Sequence, residues 1–314
     1  MARSDRNPVI IEAALNGGTH VRDNPHVPTR RAELIDDALA CLEAGASVIH
    51  THASDPSARA EEAAKNYLEH FLPILAEWPD ALLYPTIVFH DPIEERVGHI
   101  PILARHGVLR IGLMEPGSGS FVRTGDDGLP IDTDRVYTNS PREVRYMATQ
   151  CEALGLGPSM VIFEPGFLRH ALLYRSASRL PRGAFLRLTL CGGASYRGSP
   201  HVDLLCGMPA ETWALDAYLR MFEGNPLPWA VSVVSGDVFE SGVARHALEC
   251  GGHLRVGLED YAGSDRPTNR ELVERAVELA NEVGRPIASS SEAARLLDLP
   301  PKRSSTSTSD EQSD

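Results

Sequence analysis

The chain has 314 residues, 42% hydrophobic and 23% charged, a balance that excludes wholesale disorder and leaves room for one large domain. Its formal net charge of −13 argues against a general binder of nucleic acid or anionic membrane, which needs a basic surface. No apolar run approaches the roughly 18 residues of a membrane span, and the start MARSDRNP does not read as a signal peptide.

Taken in chain order, residues 1–7 are polar and expected to be disordered. The first strand candidate is Val9–Ala14, with Glu12 inside it, where a carboxylate is costly unless it has a partner. Thr29–Ala44 reads as a helix that stops at Gly45. Further strand candidates are Ser47–His52, Ala81–Phe89 and Val108–Met114. A helix over Ser140–Leu154 opens Ser-Pro-Arg-Glu, which supplies a cap, a proline for the first turn and a glutamate for a capping box. Met160–Phe163, Phe185–Leu190, Ala230–Val234 and His253–Gly257 complete the strands, and Thr268–Val283 and Ser290–Leu297 the helices. The tail 300–314 is a Ser/Thr/charge mixture that cannot bury a core and is expected to be disordered.

Several strand candidates lack polar alternation, as expected for strands buried on both faces of a parallel sheet. Alternating β and α elements of this length form either an open doubly wound sheet or a closed (β/α)8 TIM barrel. The open nucleotide-binding sheet requires G-x-G-x-x-G after the first strand, but here that strand runs into Ala-Leu-Asn-Gly-Gly-Thr. The count of eight strands favours a single barrel domain over residues 8–299. The five cysteines, odd in number and without a CxxC pair, read as small buried hydrophobes in a reducing, cytoplasmic compartment.

Two constellations carry chemistry. In Val48-Ile-His-Thr-His52, His50 and His52 point to the same side of a strand and suit zinc or another divalent metal. Equally, they suit two partly buried histidines bonded to backbone. His253-Leu-Arg-Val-Gly-Leu-Glu-Asp260 closes the last strand candidate, which neighbours the first in a closed barrel. Glu259 can therefore reach the histidines as a third ligand, and a His₂Glu set leaves metal positions open, the catalytic pattern. Arg255 and Asp260 are expected to pair and to lower the carboxyl's pKa, unless they are only a surface ion pair. Thr86 and Ser118 lie at strand ends as weaker hydrogen-bond donors. Gly117-Ser-Gly-Ser and Cys191-Gly-Gly are possible anion nests.

Together, Glu43–His52 (EAGASVIHTH), Gly251–Asp260 (GGHLRVGLED) and Gly284-Arg-Pro-Ile-Ala288 resemble the beta-keto acid cleavage enzymes, including those acting on 3-keto-5-aminohexanoate. The likeness runs from about Val9 to Leu299. It implies a TIM barrel, a bound Zn2+ held by His50, His52 and Glu259, and a homo-oligomer, usually a tetramer. It also implies a reaction of a β-keto acid with acetyl-CoA that yields acetoacetate and a new CoA thioester, with Arg255 and Asp260 catalytic. By the same resemblance Thr86, Ser118 and Thr19 are expected to line the substrate site; Glu12, from its place inside the first strand, is either a substrate-binding residue or the acid half of a buried pair.

Three departures alter the substrate wall. The family's Ser-Thr-Gly-Gly appears as Thr86-Ile-Val-Phe89, its Pro-Glu-x-Glu as Pro158-Ser-Met-Val161, and its Asp-Asn as Asp260-Tyr261. Thr19 stands where members acting on an amino substrate carry a glutamate. With a bulkier wall at Val88 and Phe89, this predicts an uncharged side chain on the acid. Two other readings stay open here: another metal-dependent lyase or hydrolase on the same barrel, and a catalytically silent ligand-binding barrel.

Overall fold

Strands that are apolar on both faces can satisfy their backbone only side by side under a cover of helices. The computed structural model describes residues 7–125, 127–131, 136–193, 204–224 and 227–302. Its strands are β1 (Ile11–Ala14), β2 (Val48–Thr51), β3 (Leu82–Pro85), β4 (Ile111–Leu113), β5 (Gly157–Ile162), β6 (Phe185–Cys191), β7 (Trp229–Val234) and β8 (His253–Val256). All their pairings are parallel, in the order β3-β2-β1-β8-β7-β6-β5-β4. β3 and β4 lie against each other without a ladder among the described residues, so the barrel is nearly closed. This is the expected TIM barrel. The expected disorder at 1–7 and 300–314 falls mostly outside the described residues; within them, Arg110 binds the carbonyls of Leu299 and Pro300.

The helices are α1 (Arg31–Ala44), α2 (Ala60–Glu77), α3 (Ile93–Arg96), α4 (His99–Arg105), α5 (Pro141–Leu154), α6 (Pro165–Ser176), α7 (Thr212–Met221), α8 (Val243–Glu249), α9 (Asn269–Val283) and α10 (Ser290–Leu296). The capping boxes sit where the sequence places them, with Ser140 and Glu143 closing α5 and Thr268 and Glu271 closing α9. α1 begins two residues later than expected, because Thr29 bonds Glu33 from outside the helix.

Two expectations need correction. β3 ends at Pro85, not Phe89: Thr86–Phe89 leaves the sheet, and Val88 packs into a separate small cluster with Ala58 and Ala63. Four cysteines are buried, but Cys250 is exposed at the end of α8.

Register places the chemistry. Glu12 lies beside Val48 on one side and Arg255 on the other, while His50 lies beside both Ala14 and Tyr84. Buried histidines pin this half of the barrel. His70 joins Thr51 to the Asn66 carbonyl, His99 donates to the Thr86 carbonyl, and His253 Nδ1 accepts from the Ile10 amide. Burial lowers His70 and His99 to about 4 and His253 to about 3, so all three fold neutral. An unfolded histidine protonates near ~6.5, so the unfolded chain binds more protons between that pH and the folded values. Stability is therefore full above about pH 6.5 and is expected to fall toward about pH 4, by up to ~3 kcal/mol per histidine. A melting temperature that stays level between about pH 7 and pH 5 would contradict this.

Candidate active site

The C-terminal ends of β1, β2, β3 and β8 bring the two constellations together. His50 is 2% exposed, and its Nε2 stands 3.3 Å from Glu259 Oε2. His52 Nε2 stands 3.2 Å from Glu259 Oε1. Neither contact has hydrogen-bond geometry: His50 Nδ1, His52 Nε2 and Glu259 Oε2 are buried without a hydrogen-bond partner. Orphaned polar atoms of this kind are expensive unless something else satisfies them. One ligand atom from each residue falls within 4.8 Å of the others. Two atoms each about 2.0–2.1 Å from a tetrahedral ion lie ~3.3 Å apart, and the two His–Glu contacts, one to each carboxylate oxygen, have that spacing. The set fits a divalent metal.

Electrostatics favour the same state. Burial drives His50 well below its usual range and keeps it neutral. Burial alone would raise Glu259, but Arg255, His52 and His50 outweigh it and hold the carboxyl well below the usual range. Neutral imidazole and ionised carboxylate are the metal-binding forms.

Local backbone explains the placement. Asn16 clasps the His52 backbone, accepting from its amide at 2.8 Å and donating to its carbonyl at 3.3 Å. Gly17 has φ +151°, and a Cβ there would stand 2.5 Å from Glu259 Cγ and 3.2 Å from His52 Nε2. Gly17→Ala should therefore displace two ligands and weaken metal retention at least about tenfold, read by competition with a chromogenic chelator. Unchanged retention would place the metal elsewhere. Gly257, at φ +136°, lets β8 turn against the Ala14 carbonyl, which accepts from the Glu259 amide.

Behind this cluster, Arg255 is 3% exposed and gathers three carboxylates. Its Nη1 stands 2.6 Å from Glu12, its Nη2 2.8 Å from Glu259, and its Nε 2.7 Å from Asp260. The Tyr84 hydroxyl donates to Glu12 and lies 3.3 Å from Arg255 Nη1. Burial alone would lower the guanidinium's pKa, but Asp260, Glu259 and Glu12 raise it well above the usual value. Glu12 is thus the acid half of a buried pair. The Arg255–Asp260 pair exists, yet the expected lowering of Asp260 is overturned. Burial, with Glu259 beside it, outweighs Arg255 and leaves the carboxyl above its ordinary range. Such a carboxyl is suited to taking and returning a proton.

The remaining candidates are placed less directly. The Thr86 amide approaches the Tyr67 hydroxyl at 3.2 Å and its carbonyl serves His99, which leaves the side-chain hydroxyl without a described partner. Ser118 is bound to the Asn139 backbone, donating at 3.1 Å and accepting at 2.8 Å. Thr19 is half-buried in the loop after β1. Asn16, Tyr84 and Arg187 were not singled out from sequence. Arg187 sits on β6 with its Cζ 5.8 Å from the Tyr84 ring centre.

The chain is 27% identical to a 3-oxoadipate:acetyl-CoA acetyltransferase of Cupriavidus necator, covering 93% of this chain and 95% of that one. It is 25% identical to a 3-keto-5-aminohexanoate cleavage enzyme of Fusobacterium nucleatum, covering 93% and 98%. Among solved structures, apo ObcA shares the fold at a TM-score of 0.63 and 17% identity; the match covers 88% of this chain and 66% of that longer one. A sequence profile of the beta-keto acid cleavage enzymes matches residues 8–299, nearly the whole barrel together with both constellations at its mouth. On that match the chain belongs to the beta-keto acid cleavage enzyme family.

Proposed function

We propose that this chain cleaves a β-keto acid with acetyl-CoA, giving acetoacetate and a new CoA thioester, and that it uses a divalent metal, zinc foremost. The observation that carries the reading is the orphaned His50–His52–Glu259 cluster backed by the Arg255–Asp260 pair. Relatives over nearly the full chain, named for acetyl-CoA-dependent reactions of 3-oxo acids, support the chemistry. A metal held by the cluster would supply Lewis-acid polarisation of the substrate's oxygens.

The chain's own residues do the rest. Asp260, aimed by Arg255 Nε at 2.7 Å, takes the proton from the carbon between the keto and carboxyl groups. That carbon attacks the acetyl carbonyl and expels the CoA thiolate. The thiolate adds to the acid's own keto carbon, the bond from that carbon to the newly acetylated carbon breaks to release the new CoA thioester, and Asp260 returns the proton to the acetylated carbon, giving acetoacetate. Arginine is too weak an acid to serve as the base, so Arg255 orients Asp260 and offsets developing negative charge. The Thr86 hydroxyl, and Ser118 if its tie to Asn139 opens, are the donors for the substrate carboxylate. Glu12 and Thr19 border the same space.

Assembly as a homo-oligomer, a tetramer in this reading, rests on the family resemblance, with exposed Leu173 on α6 and Trp213 on α7 available for contact. No described helix is long and apolar enough to cross a membrane, and free cysteines suit a cytoplasmic enzyme. A panel of β-keto acids with acetyl-CoA, read as acetoacetate, tests the activity. No acetoacetate from any acid with metal-loaded protein would refute it.

A further inference from the structure

Arg187 is a charged side chain inside the barrel with no hydrogen bond or ion pair among the described residues; it feels Glu115 and Asp260 only at longer range. It lies on β6 between Val161 and Ala230 in register, 6% exposed. Its Nε is buried without a hydrogen bond, and no carboxylate of the described residues lies within ion-pair distance. Other interior charges are spoken for. Glu12, Glu259 and Asp260 belong to Arg255, and Glu115 accepts from the Tyr137 hydroxyl. Burial holds Glu115 above the ordinary carboxyl range, which weakens it as a counter-charge.

A buried guanidinium with no carboxylate of the described residues in contact is a costly arrangement in a folded core. This one is also aimed. Its Cζ stands 5.8 Å from the Tyr84 ring centre, and that ring lies 4.4 Å from the His50 imidazole. Arg187, Tyr84 and His50 thus form a row from β6 to the metal-ligand cluster. Under the proposed function, the acid's keto end lies at the cluster.

We propose that the acid's far end lies on the Arg187 side of Tyr84 and that Arg187 receives a second carboxylate there, so that this chain selects short β-keto dicarboxylic acids. The planar fork of guanidinium donors matches a carboxylate bidentately. An ammonium there would be repelled, and an apolar tail would leave the cation unpaired. The expectation of an uncharged side chain is replaced on this account. An amine stays excluded under this proposal, while the apolar wall at Val88, which packs with Ala58 and Ala63, is given up. A CoA phosphate offers related chemistry, but Arg187 lies within β6 rather than in the loop after it at the rim.

The inference rests on the proposed function, and the test separates the two. With metal-loaded protein, kcat/KM is compared for 3-oxoadipate and 3-oxohexanoate, which differ by a carboxylate in place of a methyl. Calorimetry of the unreactive adipate and hexanoate reads binding alone. The diacid should be favoured about a hundredfold in both measurements. Arg187→Met should erase most of that preference, Arg187→Lys should restore part of it, and the KM for acetyl-CoA should stay unchanged. Equal use of the two acids, a preference that survives Arg187→Met, or a raised KM for acetyl-CoA alone would overturn the inference and leave the activity intact. Should Arg187→Met fail to fold, the wild-type ratio and Arg187→Lys still decide. Arg187-dependent adipate binding without acetoacetate from either keto acid would sustain the anion site and overturn its use in this reaction.

Discussion

His50→Ala or Glu259→Ala is expected to abolish metal retention and turnover together. In the proposed site three residues make up the cluster with no fourth protein group among the described residues, so losing one leaves a pair that would hold a divalent ion weakly. The loss should exceed the roughly 10–100-fold that supporting groups around a metal are worth. The two variants differ in a second respect. Glu259→Ala also removes an anion from Arg255, which keeps Glu12 and Asp260, whereas His50→Ala leaves that ion cluster whole. Metal content by mass spectrometry and acetoacetate production should fall in step in both. A metal-free variant with wild-type turnover would show that the cluster has no part in the chemistry.

Asp260→Asn should separate chemistry from binding. Asparagine is isosteric and its Oδ1 can still accept from Arg255, so fold and metal should be retained. It cannot carry a proton between carbons, and kcat should drop by at least about a hundredfold, the usual scale for a general base. KM should move little if Asp260 acts only in the proton-transfer steps. A kcat within a few-fold of wild type would place the base elsewhere. Glu12, already bound to Arg255 and Tyr84, would be the next candidate.

Much of this was legible in the sequence for physical reasons. Period-two spacing put His50 and His52 on one face, and barrel closure put Glu259 beside them. Capping boxes fixed the starts of α5 and α9. Contacts between distant strands were harder to read. Asn16 clasps His52 across 36 positions, and Tyr84 reaches Glu12 across 72; no local pattern announces either. Val88 shows the converse. It continues the apolar run of β3, yet the chain turns away at Thr86 and buries it elsewhere. Arg187 did leave a signal: an arginine inside Phe-Leu-Arg-Leu-Thr-Leu is as anomalous as Glu12 inside β1. Glu12 proved to be paired, and among the described residues Arg187 meets no carboxylate at ion-pair distance. The raised carboxyl of Asp260 also depends on the depth of burial, which a motif does not carry.

The path of the acetyl group tests the account most directly. Acetyl-CoA labelled with carbon-13 at its carbonyl is incubated with metal-loaded enzyme and a β-keto acid, and the products are read by NMR. Attack on the acetyl carbonyl predicts label at the keto carbon of acetoacetate and none in the new CoA thioester. Label appearing only in acetate, or unlabelled acetoacetate, would contradict the account.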